Sequence, residues 1–267
     1  MTILISSTQN NRIRAAIRLQ DKKARVLTQK FGVEGAREIS QAYKYGYELQ
    51  ELYFCERKFS NESGSFFKGL NQSYADRCIE VSTTVFEKLA MREDVDGLYA
   101  IFKIRKYTFK DLRKNSFDIF VVLENIEKPG NVGAILRTCD GVGVSGVFLT
   151  EGSVDVFNPN LIRASLGAVF SLPVISTSNQ ECYNFLKESN VDIVSTSLQT
   201  KDIYYEKNYR YPVALVLGNE AKGISEFWRK NANSLITIPM NGTVDSLNVS
   251  VAGAIMLYEV YRQRFRK

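Results

Sequence analysis

Six short runs of Val, Ile and Leu recur in the second half of the chain: Ile119–Leu123, Val144–Leu149, Leu172–Ile175, Val191–Val194, Val213–Leu217 and Leu235–Ile238. They are largely apolar rather than alternating, and helical patterns lie between several of them. A strand with one wet face would alternate, so these runs read as strands of a parallel sheet covered on both faces by helices. The fold class expected is therefore α/β. The last segment, Asn248–Phe265, is apolar nearly all round, with Val249, Val251, Ile255, Met256, Leu257, Val260 and Tyr261. A helix with one solvated face would show a single stripe. This one is expected to lie against the sheet and against a second subunit.

The first hundred residues predict a smaller α/β domain. Residues 9–28 have helical spacing, with Ile13, Ala16 and Ile17 on one side and the arginines elsewhere. An extended piece at Phe31–Glu34 precedes a helix from Ala36 to Tyr45, stopped by Gly46. Leu52–Cys55, Cys78–Val81 and Leu98–Ile104 read as strands, and Thr83–Ala90 as a helix opened by Ser82 or Thr83. The charged stretch Arg105–Asn115 is the natural connection. The expected division is 1–104, a linker at 105–116, and 117–267.

Charge separates the same two regions. Residues 1–110 hold 19 Lys/Arg against 13 Asp/Glu, whereas the remainder holds 16 of each, so the whole net charge of +6 lies in front. Arg12, Arg14, Arg18, Lys22, Lys23, Arg25 and Lys30 face only Asp21 within the first thirty residues. Such a concentration either solvates an amphipathic helix or attracts a polyanion, and salt-dependent RNA binding is the favoured reading.

What is absent narrows the chemistry. The chain has no histidine. Ser-His-Asp and Cys-His nucleophilic systems, and His-ligated zinc, are thereby excluded. Four dispersed cysteines, Cys55, Cys78, Cys139 and Cys182, form no C-x-x-C pair and read as buried thiols of a reducing cytoplasm. No run approaches the length of a membrane span, and the start lacks the order of a secretory signal.

Glycine-bearing loops follow the apolar runs. Gly141–Gly146 matches G-x-G-x-x-G, yet it closes a helix and enters a strand, the reverse of a dinucleotide site, so it reads as a helix stop and turn. Between Leu123 and the next helix lies ENIEKPGNVG (124–133). On a helical wheel Val132, Ile135, Leu136, Cys139 and Val142 form a buried stripe, with Gly130, Gly133 and Arg137 opposite. GNEAKG (218–223) follows Val213–Leu217, and PMNGTVDSLN (239–248) follows Leu235–Ile238, with Ser246 as a candidate cap for the final helix. Loops at the carboxyl ends of parallel strands are where such sheets bind ligands, so three of them suggest one convergent pocket.

The blocks NIEKPGNVGAILRTCDGVG (125–143), NPNLIRASLGAVFSLPV (158–174), LVLGNEAKGI (215–224) and IPMNGTVDSLNVSVAGAIMLYE (238–259) together resemble the SpoU/TrmH family of RNA ribose methyltransferases, in the SPOUT superfamily. The opening 7–25 and FGVEGAREI (31–39) are similar to the small substrate-binding domain that precedes many such catalytic domains. The resemblance implies a trefoil-knotted α/β domain, a homodimer joined through the knot and final helix, and S-adenosylmethionine as cofactor, with no metal. It implies cofactor contacts at Leu217, Gly218, Ile238, Met240, Ser246 and Leu247, with Thr196 and Leu198 at the rim. It implies a polar catalytic set of Asn131, Arg137, Glu220, Ser246 and Asn248. Arg163 would touch RNA phosphate, beside Arg12, Arg14 and Arg18 on the basic helix. Ala221 stands where small residues vary in the family. The reaction implied is transfer of a methyl group to a ribose 2′-hydroxyl. A sulfonium already carries its leaving group, so positioning does most of the work and a histidine-free chain suffices. Ribosomal RNA is the expected substrate and transfer RNA the alternative. A non-catalytic RNA-binding module would not need both the GNE and SLN loops.

Overall fold

The computed structural model describes residues 4–92, 95–112, 115–152 and 154–265. Arg113 and Lys114 of the expected linker lie outside them. The chain forms two compact units, one running to Arg105 together with Phe157–Ser171, the other made of Lys106–Val156 and Leu172–Lys267.

In the first unit, α1 (Asn11–Arg18) and α2 (Lys22–Thr28) are followed by β1 (Lys30–Glu34), α3 (Ala36–Lys44), β2 (Leu49–Phe54), α4 (Asn61–Tyr74), β3 (Cys78–Glu80), α5 (Thr83–Leu89) and β4 (Leu98–Lys103). The sheet order is β1-β4-β2-β3, antiparallel except for the β2–β3 pair. Successive strand residues face opposite ways. Tyr99 and Ile101 of β4 and Tyr53 of β2 therefore pack on Ile13 and Ala16 of α1, on Leu19 just beyond it, and on Val85, Phe86 and Leu89 of α5. On the other face Phe102 stacks on Phe31, and Phe54 lies 4.3 Å from Phe67 of α4. Helices α1 and α5 thus cover one face of this sheet, and α3 and α4 the other. The unit also takes in α7 (Pro159–Ala164), with Phe157 stacked on Phe31 at 4.4 Å.

Residues 9–28 do not form one helix. The first helix ends at Arg18, and Asp21 starts a second by accepting a hydrogen bond from the Lys23 amide at 2.9 Å. The break has a physical agent. Arg25 is 2% exposed, and its guanidinium donates to the carbonyls of Leu19 and Gln20 at 2.7 and 2.9 Å. These are carbonyls that a helix end leaves without partners. One of the seven basic groups is thus turned inward, whereas Arg12, Arg14 and Arg18 are exposed.

The second unit contains β5 (Ile119–Glu124), α6 (Pro129–Val142), β6 (Gly146–Thr150), β7 (Val174–Thr177), α8 (Asn179–Glu188), β8 (Asp192–Thr196), β9 (Val213–Leu217), α9 (Glu226–Asn231), β10 (Ser234–Ile236) and α10 (Val249–Phe265). All six strands are parallel, in the order β10-β8-β9-β5-β6-β7. The central strands β5 and β9 are buried along their whole length, which explains their unbroken apolar composition. One face packs on α8 and α9 through Phe120, Phe148, Cys182, Leu186, Val216 and Trp228. Tyr107, Phe109 and Leu112, from the segment expected to join the two regions, pack on this same core. Helix α6 ends on Gly143 at φ +79°, so the G-x-G-x-x-G stretch is a helix stop before β6.

Removing the Arg25 side chain should cost far more stability than removing an exposed arginine of the same helix pair. A charge-assisted hydrogen bond contributes roughly 1.5–3 kcal/mol, so urea unfolding should show Arg25→Ala destabilised by about 3 kcal/mol and Arg12→Ala by less than about 0.5 kcal/mol. Equal effects of the two substitutions would contradict the capping role.

Candidate active site

The carboxyl ends of three adjacent strands, β8, β9 and β10, open into a cavity of about 280 Å³. Thr196 and Leu198 reach it from β8, Leu217 and Gly218 from β9, and Ile238, Met240, Ser246 and Leu247 from the chain beyond β10. All eight positions expected to contact a cofactor line this one space. Its wall is apolar at Leu217, Ile238, Met240 and Leu247 and charged at Glu220, Lys222 and Arg229.

The backbone that shapes the cavity is closely packed. A Cβ on Gly218 would lie 2.3 Å from the carbonyl carbon of Gly223 and 2.4 Å from the amide of Ile224. Only glycine permits that approach. Asn219 then closes the turn. Its Oδ1 accepts from the amides of Ala221 and Lys222 at 2.9 and 3.1 Å, and its Nδ2 donates to the Asn125 carbonyl at 3.0 Å. The GNE loop is thereby tied to the loop after β5. Thr196 is anchored by its hydroxyl, which donates to the Val216 carbonyl at 3.2 Å.

Glu220 and Ser246 line the cavity, and a hydrogen-bonded chain joins two further members of the expected catalytic set to Glu220. The Asn131 amide donates to the Glu220 carboxylate, and the Asn248 amide donates to Asn131 Oδ1 at 3.3 Å. The direction of the chain is set by α10. Asn248 Oδ1 accepts from the Ser250 amide at 2.9 Å and from its hydroxyl at 2.6 Å, which leaves Asn248 only its NH2 group to offer Asn131. Asn248, not Ser246, therefore caps the final helix. Arg137 lies six residues beyond Asn131, roughly 9 Å along the axis of α6. It is exposed, does not line the cavity, and makes no hydrogen bond or ion pair among the described residues. Arg163 is exposed on α7 in the other unit, its guanidinium 3.1 Å from Asn160 Oδ1. Arg12, Arg14 and Arg18 are exposed on α1.

Gly133 departs from expectation. It is buried, and α10 packs along another side of that helix. Gly253 of α10 sits against Leu217 and Ile135 there. Sequence reasoning also missed Asn219, Gln199 and Arg229. The guanidinium of Arg229 donates to the Gln199 side chain, and both line the cavity. The position of Asn219 between two loop-forming residues was a usable signal. No local pattern distinguishes Gln199 or Arg229 from surface residues.

Comparison with known proteins decides the family. Residues 118–258 match the model of the SpoU rRNA Methylase family, and residues 10–100 that of the MRM3-like substrate binding domain. The chain belongs to the SpoU rRNA methylase family. It is 26% identical to the 23S rRNA guanosine 2′-O-methyltransferase RlmP of Bacillus subtilis, over 96% of this chain and 98% of that protein. Another curated relative from Bacillus subtilis, 34% identical, aligns over only 57% of this chain and 61% of its own length. Among solved structures, an RNA 2′-O ribose methyltransferase superposes with a TM-score of 0.88 at 36% identity, covering 99% of this chain and 100% of that one. The AdoMet-bound rRNA methyltransferase of Sinorhizobium meliloti superposes with a TM-score of 0.90 at 27% identity, covering 100% of this chain and 99% of that one. The chain is an S-adenosylmethionine-dependent RNA 2′-O-ribose methyltransferase with the trefoil-knot fold of its family. Its own residues suit that cofactor, since an apolar cleft beside closely approaching backbone suits a purine and the charged rim suits an aminocarboxylate.

Adding a methyl group at Gly218 should close the cleft or push apart its two backbone walls. Gly218→Ala should weaken S-adenosylmethionine binding by about tenfold or more in calorimetry and destabilise the protein by roughly 1–3 kcal/mol. Wild-type affinity in this variant would show that the cleft is not the cofactor site.

Proposed function

We propose that this enzyme methylates a ribose 2′-hydroxyl of ribosomal RNA, with residues 1–104 gripping the RNA, 105–116 joining and 117–267 carrying the chemistry. The observation that supports it best is the end-to-end likeness to RlmP, together with the match of residues 10–100 to a substrate-binding domain. Cofactor contacts are assigned to Thr196, Leu198, Leu217, Gly218, Ile238, Met240, Ser246 and Leu247. S-adenosylmethionine supplies an electrophilic methyl group on a sulfonium. The chain has to hold the ribose oxygen in line with it and manage one proton.

Arg137 is the residue to which we assign activation of the hydroxyl, with Asn131, Glu220, Ser246 and Asn248 positioning the nucleotide. An exposed guanidinium with no protein partner among the described residues is available to a phosphate and to a developing oxyanion. A permanent cation achieves this without taking up the hydroxyl proton, which passes to solvent water as the oxygen–methyl bond forms. The RNA contacts assigned are Arg12, Arg14, Arg18 and Arg163. Four buried cysteines without a disulfide fit a cytoplasmic enzyme, and no described helix is long and apolar enough to cross a membrane. Mapping 2′-O-methylation in total RNA from cells with and without the protein identifies the substrate.

Single-turnover methylation with saturating RNA tests the Arg137 assignment. Arg137→Ala should lower the rate about a hundredfold or more while cofactor affinity stays within about twofold, and Arg137→Lys should fall between. Near-wild-type turnover of the alanine variant would shift the search to Glu220.

The same reading makes the enzyme a homodimer through α10. Its Val251, Tyr258, Tyr261 and Phe265 are 46%, 55%, 40% and 56% exposed, a run of large apolar side chains along one helix. Sedimentation at micromolar concentration should give a single dimeric species, and Tyr258→Glu with Tyr261→Glu should release monomer. A fully active wild-type monomer would overturn the assignment.

A further inference from the structure

The basic helix α1 is not the only surface of the first unit suited to RNA. At the opposite face of its sheet, the carboxyl ends of α3 and α4 carry three tyrosines at the surface. Tyr43 and Tyr45 are 40% and 37% exposed, and Tyr74 is half-buried. The rings of Tyr43 and Tyr74 meet edge to face, 5.9 Å apart at 88°. Cations are interleaved with them. Lys44 Nζ lies 5.5 Å from the centre of the Tyr45 ring, and the Arg77 guanidinium 5.3 Å from that of Tyr74. Arg105 donates to the Tyr45 carbonyl at 3.5 Å. Of the nearby acids, Asp76 is 4.0 Å from Arg77 and Glu48 is paired with Lys103 at 3.7 Å. Lys44 and Arg77 thus lie against the faces of two of the three rings.

The arrangement is not explained by packing. Tyr47, two residues on, is the member of the series that serves the core, at 4% exposure. Tyr43 and Tyr45 keep their rings in water. Exposed aromatic faces with cations between them are what single-stranded nucleic acid uses, since each unpaired base offers a face to stack and a phosphate to neutralise. A double helix hides its base faces, so it gains only the charge.

We propose that Tyr43, Tyr45 and Tyr74, with Lys44, Arg77 and Arg105, form a platform that stacks unpaired bases of the RNA substrate. The platform is separate from the α1 arginines because the two lie on opposite faces of the sheet. It rests on the reading of residues 1–104 as the RNA-gripping part, and it divides the labour there: α1 attracts the phosphate backbone, and the tyrosines select unpaired sequence.

The test uses the full-length protein with two probes, a short single-stranded RNA carrying 2-aminopurine and a blunt RNA duplex of the same sequence. Replacing Tyr43 and Tyr74 together by alanine should weaken single-strand binding roughly fivefold or more and remove the quenching of 2-aminopurine. Duplex affinity should stay within about twofold, and the slope of log affinity against log salt should not change, because no phosphate contact is removed. The Tyr43→Phe, Tyr74→Phe pair keeps both aromatic faces and should bind as wild type. Alanine at Arg12, Arg14 and Arg18 should instead lower the salt slope on both probes. Unchanged single-strand binding in the tyrosine-to-alanine pair, or equal losses on both RNAs, overturns the platform while leaving the α1 assignment standing. A wild-type protein that binds neither probe overturns the RNA-gripping reading itself, and the platform with it.

Discussion

Glu124 ends β5 in the middle of the catalytic sheet, 3% exposed, and its carboxylate accepts three hydrogen bonds. Asn179 Nδ2 donates at 2.7 Å, the Ser225 amide at 2.7 Å and the Ser225 hydroxyl at 2.5 Å. Asn179 in turn accepts from the Trp228 indole at 2.7 Å. A carboxylate taken out of water is costly unless its lone pairs are met in this way. By being met, it fixes where α8 begins, where α9 begins and how the chain leaves the GNE loop. The loop that runs from β9 into α9, one wall of the cleft, is held from behind by this group.

The front of the site is organised by a different economy of donors and acceptors. Asn248 spends its oxygen on the start of α10, which forces its nitrogen toward Asn131, and Asn131 then presents its own nitrogen to Glu220. Three residues far apart in the chain share one polarity, and no proton in the series is free to reverse it. Arg137 stands outside that series, on the same helix as Asn131 but without a protein partner among the described residues. The separation suits two tasks, one of holding a nucleotide and one of meeting charge that appears only as the reaction proceeds.

Much of this was readable from residue order. The six strands declared themselves because parallel strands buried on both faces have no polar side to alternate with. The glycines at 141–146 could be assigned to a helix stop because their place relative to helix and strand was wrong for a nucleotide. What escaped was whatever needs a second partner to be seen. A helical wheel shows the stripe of α6 that meets the sheet, but not that Gly133 outside that stripe is buried too, or that α10 packs along the helix. Charge counting treated Arg25 as a surface cation, whereas two carbonyls at the end of α1 draw it inside. Both Ser246 and Asn248 have side chains able to cap a helix, and only the course of the backbone chooses Asn248. The grouping of Phe157–Ser171 with the first unit is likewise a matter of long-range packing, through the ring of Phe157 on Phe31.

Helix α10 is 17 residues long, roughly 25 Å from end to end. Its first turn is capped by Asn248, which also donates to Asn131. Near its last turn, Arg264 donates to the carbonyls of Tyr209 and Phe117, the latter just ahead of β5. Between these two anchors the helix packs along α6. One unbroken run of helical backbone therefore joins the chain just ahead of β5 to the mouth of the cleft, so Asn248 is held in place by a whole helix rather than by a loop.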